Sequence, residues 1–416
     1  MFKLLAEKLG PGLLYAAVAV GVSHLVSSTI AGASYGLVMV GYMIAVCLIK
    51  YPTFLFGARY TAATGETLVE GYTRMGRWVV VLFFFMQLFE YTFAISGSAV
   101  TTAALLRSIL GLEVGIGLEL VLLLSSALII GLGRYAVLED LTRLLVIVFS
   151  VGTVIAAITA LSGIDPGTKP LTAELKLDTP TILFLIAVAG WMPTGTAGSV
   201  GLSLWVKAKS IRLQRPVSIR EASFDFNLGY GTAIFLAICF VALGTYVLFI
   251  NGIAVETHGA AFATQLIMLF TSSIGDWVYP LIAIAALTVM YSTLLTLADL
   301  MPRSSAAALL EIFPVPKLQS QQRFNRLFGV FIVVEVLAVS AVVVLLLEDF
   351  GTFIRWITSM GFVVAPLFSY LNHRAMFGSH VKPEDQPGRV LRYWSIATVV
   401  ILSATGVGFL YMTYFM

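Results

Sequence analysis

The sequence predicts an all-α integral membrane protein with eleven transmembrane helices, ten of them arranged as two five-helix repeats of opposite orientation. Three observations predict it. First, 59% of the 416 residues are hydrophobic and only 11% charged, with a mean hydropathy of +0.96, which is too little polar surface to cover a soluble globule of this size. Second, apolar windows of about 20 residues recur along the chain, whereas a membrane barrel would show alternating strands of roughly ten. Third, two of these windows are interrupted at matching places.

The spans fall at about 11–35, 37–63, 76–106, 115–133, 138–162, 181–206, 224–250, 277–300, 324–347, 352–372 and 392–415. The first opens the chain's organisation, because its apolar run is interrupted by Gly21-Val22-Ser23-His24. An unsatisfied backbone group in hydrocarbon costs several kcal/mol, so such a break is tolerated only where the freed groups face protein, water or a substrate. The sixth span breaks in the same way at Met192-Pro193-Thr194-Gly195. Spans one to five, about 11–162, and six to ten, about 181–372, then form an inverted repeat, each half opening with a broken helix, with about 392–415 appended. Between spans seven and eight, 260–273 reads as a shorter interfacial or re-entrant helix. No low-complexity linker divides the chain, which predicts one transmembrane domain over 1–416. No clear small-residue cleavage site follows the first span, so it is expected to be retained.

Charge placement orients this arrangement. Short cytoplasmic loops hold the excess of Lys and Arg, and with the N-terminus inside, twenty of the 25 basic residues fall on cytoplasmic positions. They run from Lys3 and Lys8 through Arg134, Arg143, Lys207, Lys209 and Arg215 to Arg374, Lys382 and Arg392. Arg107, Lys169 and Lys176 are external, and Lys50 and Arg355 lie in the membrane. The expected topology is N-terminus cytoplasmic and C-terminus external, with the loop 207–220 inside and 163–180 outside. A net charge of +3 gives no reason to expect nucleic acid. Cys47 and Cys239 both sit in apolar segments and do not suggest a disulfide framework.

Chemistry concentrates at a few positions. Glu90, near the middle of the third span with Gln87 one turn before it, is an intramembrane carboxylate, costly unless paired or protonated and a functional candidate for taking and releasing a proton. The alternative is a protonated acid that only bridges helices. Lys50, midway along the second span, is poorly placed to reach either interface and is read as a partner of Glu90, a substrate contact or a structural contact. Arg355 reads as an interface anchor in preference to a gate. His24 and Met192 are the strong side-chain metal ligands at the two breaks, one borderline and one soft. Gly21, Ser23, Ala189, Thr194 and Thr196, through freed carbonyls and hydroxyls, complete the candidate substrate site, and Ser199 adds a hydroxyl. No nucleophile–base pair, phosphate loop or HExxH pattern is present, so neither an enzyme nor a cofactor is called for.

At these residues the chain resembles the Nramp family of proton-coupled divalent metal transporters. Gly10-Pro11 opens the first span, Tyr35-Gly36 closes it, Ala63-Thr64-Gly65 ends the second, Glu90 falls on the family's acidic position in the third, and Met192-Pro193 begins its sixth-span motif. The resemblance implies the LeuT-like 5+5 inverted-repeat fold, a bacterial inner (plasma) membrane location, and coupling of cargo to protons. The departures fall on the metal site. The family's Asp-Pro-Gly-Asn is here Gly21-Val22-Ser23-His24, its Met-Pro-His-Asn is Met192-Pro193-Thr194-Gly195, a later His is Ser199, and Gln87 replaces an acid. Hard dications prefer oxygen ligands that include a carboxylate, and none stands at either break.

Three functions are weighed. The resemblance favours proton-coupled uptake of a divalent metal ion, with His24 and Met192 selecting a softer one. The missing carboxylate favours a small organic or anionic solute carried by the same fold and held by the half-helix N-termini, Lys50 and the hydroxyls. A non-transporting membrane sensor or scaffold would call for a signalling domain or long tail. Partners beyond the cargo are protons and the lipid bilayer.

Overall fold

The structure, a computed structural model, describes residues 10–132, 135–163, 170–314, 316–347 and 349–415. Lys3, Lys8, Arg134 and Lys169 of the charge pattern lie outside the described residues, as do the side chains of Arg143 and Lys317. The described chain is helical almost throughout. Helix α1 (Pro11–Ala19) passes through a π-helical stretch, Val20–Ser28, into α2 (Thr29–Tyr35). Then come α3 (Val38–Thr64), α4 (Leu68–Thr73), α5 (Arg77–Leu110), α6 (Gly117–Gly131) and α7 (Tyr135–Ser162). The second half runs α8 (Thr179–Trp191), α9 (Gly198–Leu213), α10 (Ile219–Leu243), α11 (Gly259–Ile274), α12 (Tyr279–Ile312), α13 (Lys317–Leu346), α14 (Phe350–Met376) and α15 (Arg389–Phe415).

Among the described residues, eight stretches are long and apolar enough to cross a membrane, and the shorter apolar helices include Gly117–Gly131, Val146–Ser162 and Thr179–Trp191. These shorter ones stand where the sequence places the fourth span, the fifth span and the first half of the sixth. Helix α11 occupies the stretch read as interfacial. Both breaks also fall where the sequence puts them. Gly21 leaves helical geometry at φ −65°, ψ −132°, and α8 ends at Met192 in extended backbone, φ −90°, ψ 127°, six residues before α9 begins.

Small residues bring the broken helices close to their neighbours, the usual device where lipid tails offer no hydrophobic drive between helices. A Cβ on Gly12 would lie 1.9 Å from the Asp225 carbonyl, and one on Gly229 2.0 Å from the Gly12 carbonyl, so α1 packs backbone to backbone on α10. Gly57 does the same for α3 against the Ser199 carbonyl of α9, at 2.1 Å. The end of the first span is tied to the polar loop before α8. Gly36, at φ +71°, pairs with Thr172, and Leu37 N–H donates to the Leu171 carbonyl at 2.8 Å.

Polar ties fix the remaining ends. Asp225 accepts from Gly10 N–H at 3.2 Å and pairs with Lys209 of α9 at 3.6 Å, both charged side chains being buried. That carboxylate supplies the cap that Gly10 itself cannot, because the first amides of a helix have no intrahelical acceptor. Arg107 and Glu119 join α5 to α6 through two bonds of 2.7 Å.

Candidate functional site

The two breaks meet. Ser23 Oγ lies 2.9 Å from the Pro193 carbonyl and 2.6 Å from the Ala19 carbonyl, so one hydroxyl bridges the first break to the second. Gly21 is held against α12, where a Cβ would fall 2.6 Å from Thr293 Cγ2. Thr293 in turn donates to the Ala17 carbonyl at 3.2 Å.

His24 is fully buried and uses both ring nitrogens within the protein. Nε2 lies 2.8 Å from the Ala233 carbonyl of α10 and Nδ1 2.9 Å from Ser23 Oγ. A carbonyl only accepts, so Nε2 carries a proton, and in the neutral ring Nδ1 is an acceptor that competes with the Ala19 and Pro193 carbonyls for the single Ser23 hydroxyl proton.

The second break is held by two opposite charges on its two sides. Lys50 Nζ, with no exposure, donates to the carbonyls of Ala189 and Gly190 at 2.6 and 2.8 Å. These are among the last carbonyls of α8, where the half-helix dipole is negative and a cation is favoured. Across the break, Glu90 Oε1 accepts from Ala197 N–H at 2.9 Å and Oε2 from Thr196 Oγ1 at 3.2 Å, which places a carboxylate at the positive N-terminus of α9. Of the readings open to Lys50, the geometry supplies a direct structural contact with the broken helix.

From Glu90 a buried polar chain continues through α9 to α14. Ser199 Oγ donates to the Thr196 carbonyl at 2.8 Å and accepts from Asn372 Nδ2 at 2.8 Å, and Tyr72 hydroxyl donates to Asn372 Oδ1. Gln87 is bonded instead to Ser304 and Ser305 of α12, at 2.5 and 2.7 Å.

Between the breaks lies a small cavity of about 20 Å³, lined by Ser23, Glu90, Thr194 and Gly195 together with Tyr15, Tyr91, Ser98, Trp191, Trp205 and Thr293. That is room for about one water molecule, so the site is closed in this conformation. Three of its lining residues carry buried polar atoms with no hydrogen-bond partner among the described residues: the Tyr15 hydroxyl, the Ser98 hydroxyl and Trp191 Nε1. Neither of the two metal-ligand candidates lines the cavity, and Met192 is buried outside it. No group of three or more His, Cys, Asp or Glu that could hold a metal ion occurs among the described residues. A wider recess of about 190 Å³ lies toward the other end of α2 and α8, lined by Ser27, Phe184, Glu256, Phe350 and Arg355 among others. Arg355 donates to Thr352 Oγ1 at 3.0 Å.

Of the residues singled out from the sequence, Ser23, Glu90 and Thr194 line the cavity, and Lys50 bonds to the end of α8 beside it. Sequence reasoning misses Tyr15, Ser98, Trp191 and Thr293, which are unremarkable in apolar helices, and also Asp225 and Asn372, whose polarity inside spans was a usable signal.

Comparison with known proteins agrees with this architecture. The chain superposes on the crystal structure of a point mutant of the Eremococcus coleocola manganese transporter with a TM-score of 0.70 at 14% identity, covering 98% of this chain and 86% of that one. It also matches Mhp1, a nucleobase-cation-symport-1 family transporter, in an inward-facing conformation, with a TM-score of 0.55 at 15% identity, covering 97% and 86%. It is therefore an all-helical integral membrane protein of the LeuT-like inverted-repeat fold, the fold of these transporters. No protein-family model matches the chain. It is 34% identical over 371 residues to the uncharacterized protein PM0681 of Pasteurella multocida, covering 88% of this chain and 83% of that protein. The chain belongs to the family of that protein.

Proposed function

We propose that this protein is a secondary active transporter that carries a small polar organic solute, neutral or anionic, and couples its movement to a proton at Glu90. The observation that carries the reading is a set of three buried polar atoms with no hydrogen-bond partner among the described residues, on Tyr15, Ser98 and Trp191, residues that line a cavity together with Ser23, Thr194 and Thr293 and the apolar Val18, Val22, Ala94, Leu297 and Leu300. Buried polar atoms left unpaired cost about 1–3 kcal/mol each. A solute with hydrogen-bonding groups and a flat apolar face relieves that cost when the cavity widens around it.

The position of Lys50 weighs against a dication at the second break. Two unit charges about 4 Å apart at an effective dielectric of 20 interact by about 4 kcal/mol, and a divalent ion by about 8. On the Lys50 side of the break, away from the Glu90 carboxylate, that repulsion is comparable to the roughly 8 kcal/mol of a whole micromolar binding site. The carbonyls that a metal would need are also already used by the ammonium. In this reading Lys50 and Glu90 complement the two ends of the broken helix, and protonation of Glu90 loosens its hold on Ala197 and Thr196. The orientation that goes with it has the N-terminus cytoplasmic, following the bias of Lys and Arg.

A second reading, divalent metal uptake, is favoured by the likeness in fold to a manganese transporter. Titration calorimetry and thermal-shift measurements on the purified chain separate the two. We expect stabilisation by a member of a panel of small polar organic solutes and no binding heat from Mn²⁺ or Cd²⁺. Saturable binding of either ion that His24→Ala or Met192→Ala abolishes overturns the organic-solute reading.

A further inference from the structure

Away from the broken helices, a recess of about 480 Å³ opens at the face where the sequence concentrates Lys and Arg. Basic side chains from four separate segments converge on it: Arg74 at the end of α4, His373 and Arg374 in the last turn of α14, His380 in the following loop and Arg392 in the first turn of α15. A charge bias set by topology alone scatters such residues over a face and does not aim them into one hollow.

The charges are poorly compensated from within. Arg74 is paired with Glu66, its Nε donating at 2.8 Å, and no other acidic side chain bonds to this group among the described residues. Glu384 and Asp385 belong to the same loop as His380 but do not line the recess. The two ends of the adjoining helices differ. His373 and Arg374 stand at a helix C-terminus, which favours cations, whereas Arg392 stands at an N-terminus that has no acidic residue in its first turn. Burial, and after it the Arg74 guanidinium, holds the His380 imidazole below its ordinary value, with Glu66 opposing.

The side chains are also positioned. The Arg392 guanidinium stacks over the Phe377 ring at 5.3 Å, His373 Nδ1 lies 2.6 Å from Ser395 Oγ, and His380 Nε2 lies 2.9 Å from the Tyr60 hydroxyl. Two guanidiniums without a carboxylate partner among the described residues line this one recess, and the guanidinium fork is the side-chain group that reads a phosphate by paired hydrogen bonds.

We propose that this recess is a binding site for a phosphate-bearing anion, through Arg374 and Arg392 with Arg74 and His380 at its rim. The proposal is independent of the cargo reading. Basic pockets between helices at the Lys- and Arg-rich side of a membrane protein take acidic lipid headgroups, and free phosphate offers the same chemistry.

The test uses the full chain purified in a neutral detergent and reads its thermal unfolding midpoint. One arm compares phosphatidylglycerol with phosphatidylcholine, and the other compares sodium phosphate with sodium chloride at equal ionic strength. We expect the phosphate-bearing anion in at least one arm to raise the midpoint in a saturable way. The apparent affinity should fall roughly tenfold or more in Arg374→Gln/Arg392→Gln. Arg374→Lys/Arg392→Lys, which keeps the charge and loses the fork, should retain part of it. Both arginines are exposed, so these exchanges leave the core intact. A response to phosphatidylglycerol alone assigns a lipid, to phosphate alone a soluble anion, and to both a site that reads the phosphate itself. Equal midpoints within each arm, or a wild-type response unchanged in the glutamine variant, overturn the proposal.

Discussion

The two breaks solve the same problem by different means. The first is short: Gly21 alone leaves helical geometry, and its surroundings are satisfied by neutral groups, Ser23 and His24, working against carbonyls at 2.6–2.9 Å. The second leaves six residues, 192–197, out of regular helix and is complemented by full charges from other helices, Lys50 on its carbonyl side and Glu90 on its amide side. The difference teaches that the longer break is the electrostatic element. Freed amides and carbonyls at opposite half-helix ends attract opposite charges, and one of those charges can be discharged by a proton. The shorter break is pinned to it through Ser23.

The contrast is sharpened most by Lys50→Met. It leaves the Ala189 and Gly190 carbonyls buried without donors, at about 1–3 kcal/mol each, and we expect the largest loss of thermal stability together with loss of transport. His24→Ala, at the neutral break, should cost less. If the two cost the same, the charged break is not the dominant element.

Next come the two glycines. A Cβ on Gly195 would meet Glu90 Oε1 at 2.2 Å, while one on Gly21 would meet Thr293 Cγ2 at 2.6 Å. Overpacking costs about 1–3 kcal/mol, and Gly195→Ala should lie at the upper end because it also pushes the carboxylate off Ala197. Adding Thr293→Ala should rescue Gly21→Ala, and unfolding midpoints of the three variants check this. An equal effect of the two glycine exchanges, or no rescue, breaks the comparison.

Glu90→Gln should change stability little, by under about 1.5 kcal/mol, since the amide oxygen still accepts from Ala197. It should flatten the pH dependence of transport in proteoliposomes, because the amide cannot release a proton. An unchanged pH profile makes Glu90 a structural cap only.

The smallest effect is expected at the far end of the charged helix. Hydrogen bonds from Thr181 hold the Asp178 carboxyl, the N-cap of α8, below its ordinary value of 3.8. A depressed folded value means that the carboxylate's contribution is present above the ordinary range and is lost as pH falls through the folded value. Asp178→Asn, which still caps, should therefore narrow the difference between midpoints at about pH 6 and about pH 3 slightly. A change as large as that of Lys50→Met places the electrostatic control at the helix's outer end instead.

The sequence by itself determined the membrane character, the two breaks at Gly21 and Met192–Gly195, the clustering of Lys and Arg, and the two intramembrane charges. Each is a local or compositional signal: apolar length, an interruption in it, or an ionisable residue where none is cheap. Direction was left to the tertiary structure. In a soluble helix the polar face marks what points outward, but in a membrane the lipid-facing and core-facing sides are equally apolar, so periodicity does not say where a side chain goes. Packing of α1 on α10 turned His24 toward Ala233. Packing of α3 against the end of α8 put the ammonium of Lys50 on Ala189 and Gly190. The meeting of four helices gathered Tyr15, Ser98, Trp191 and Thr293 around one cavity, a juxtaposition that residues this far apart in sequence do not announce.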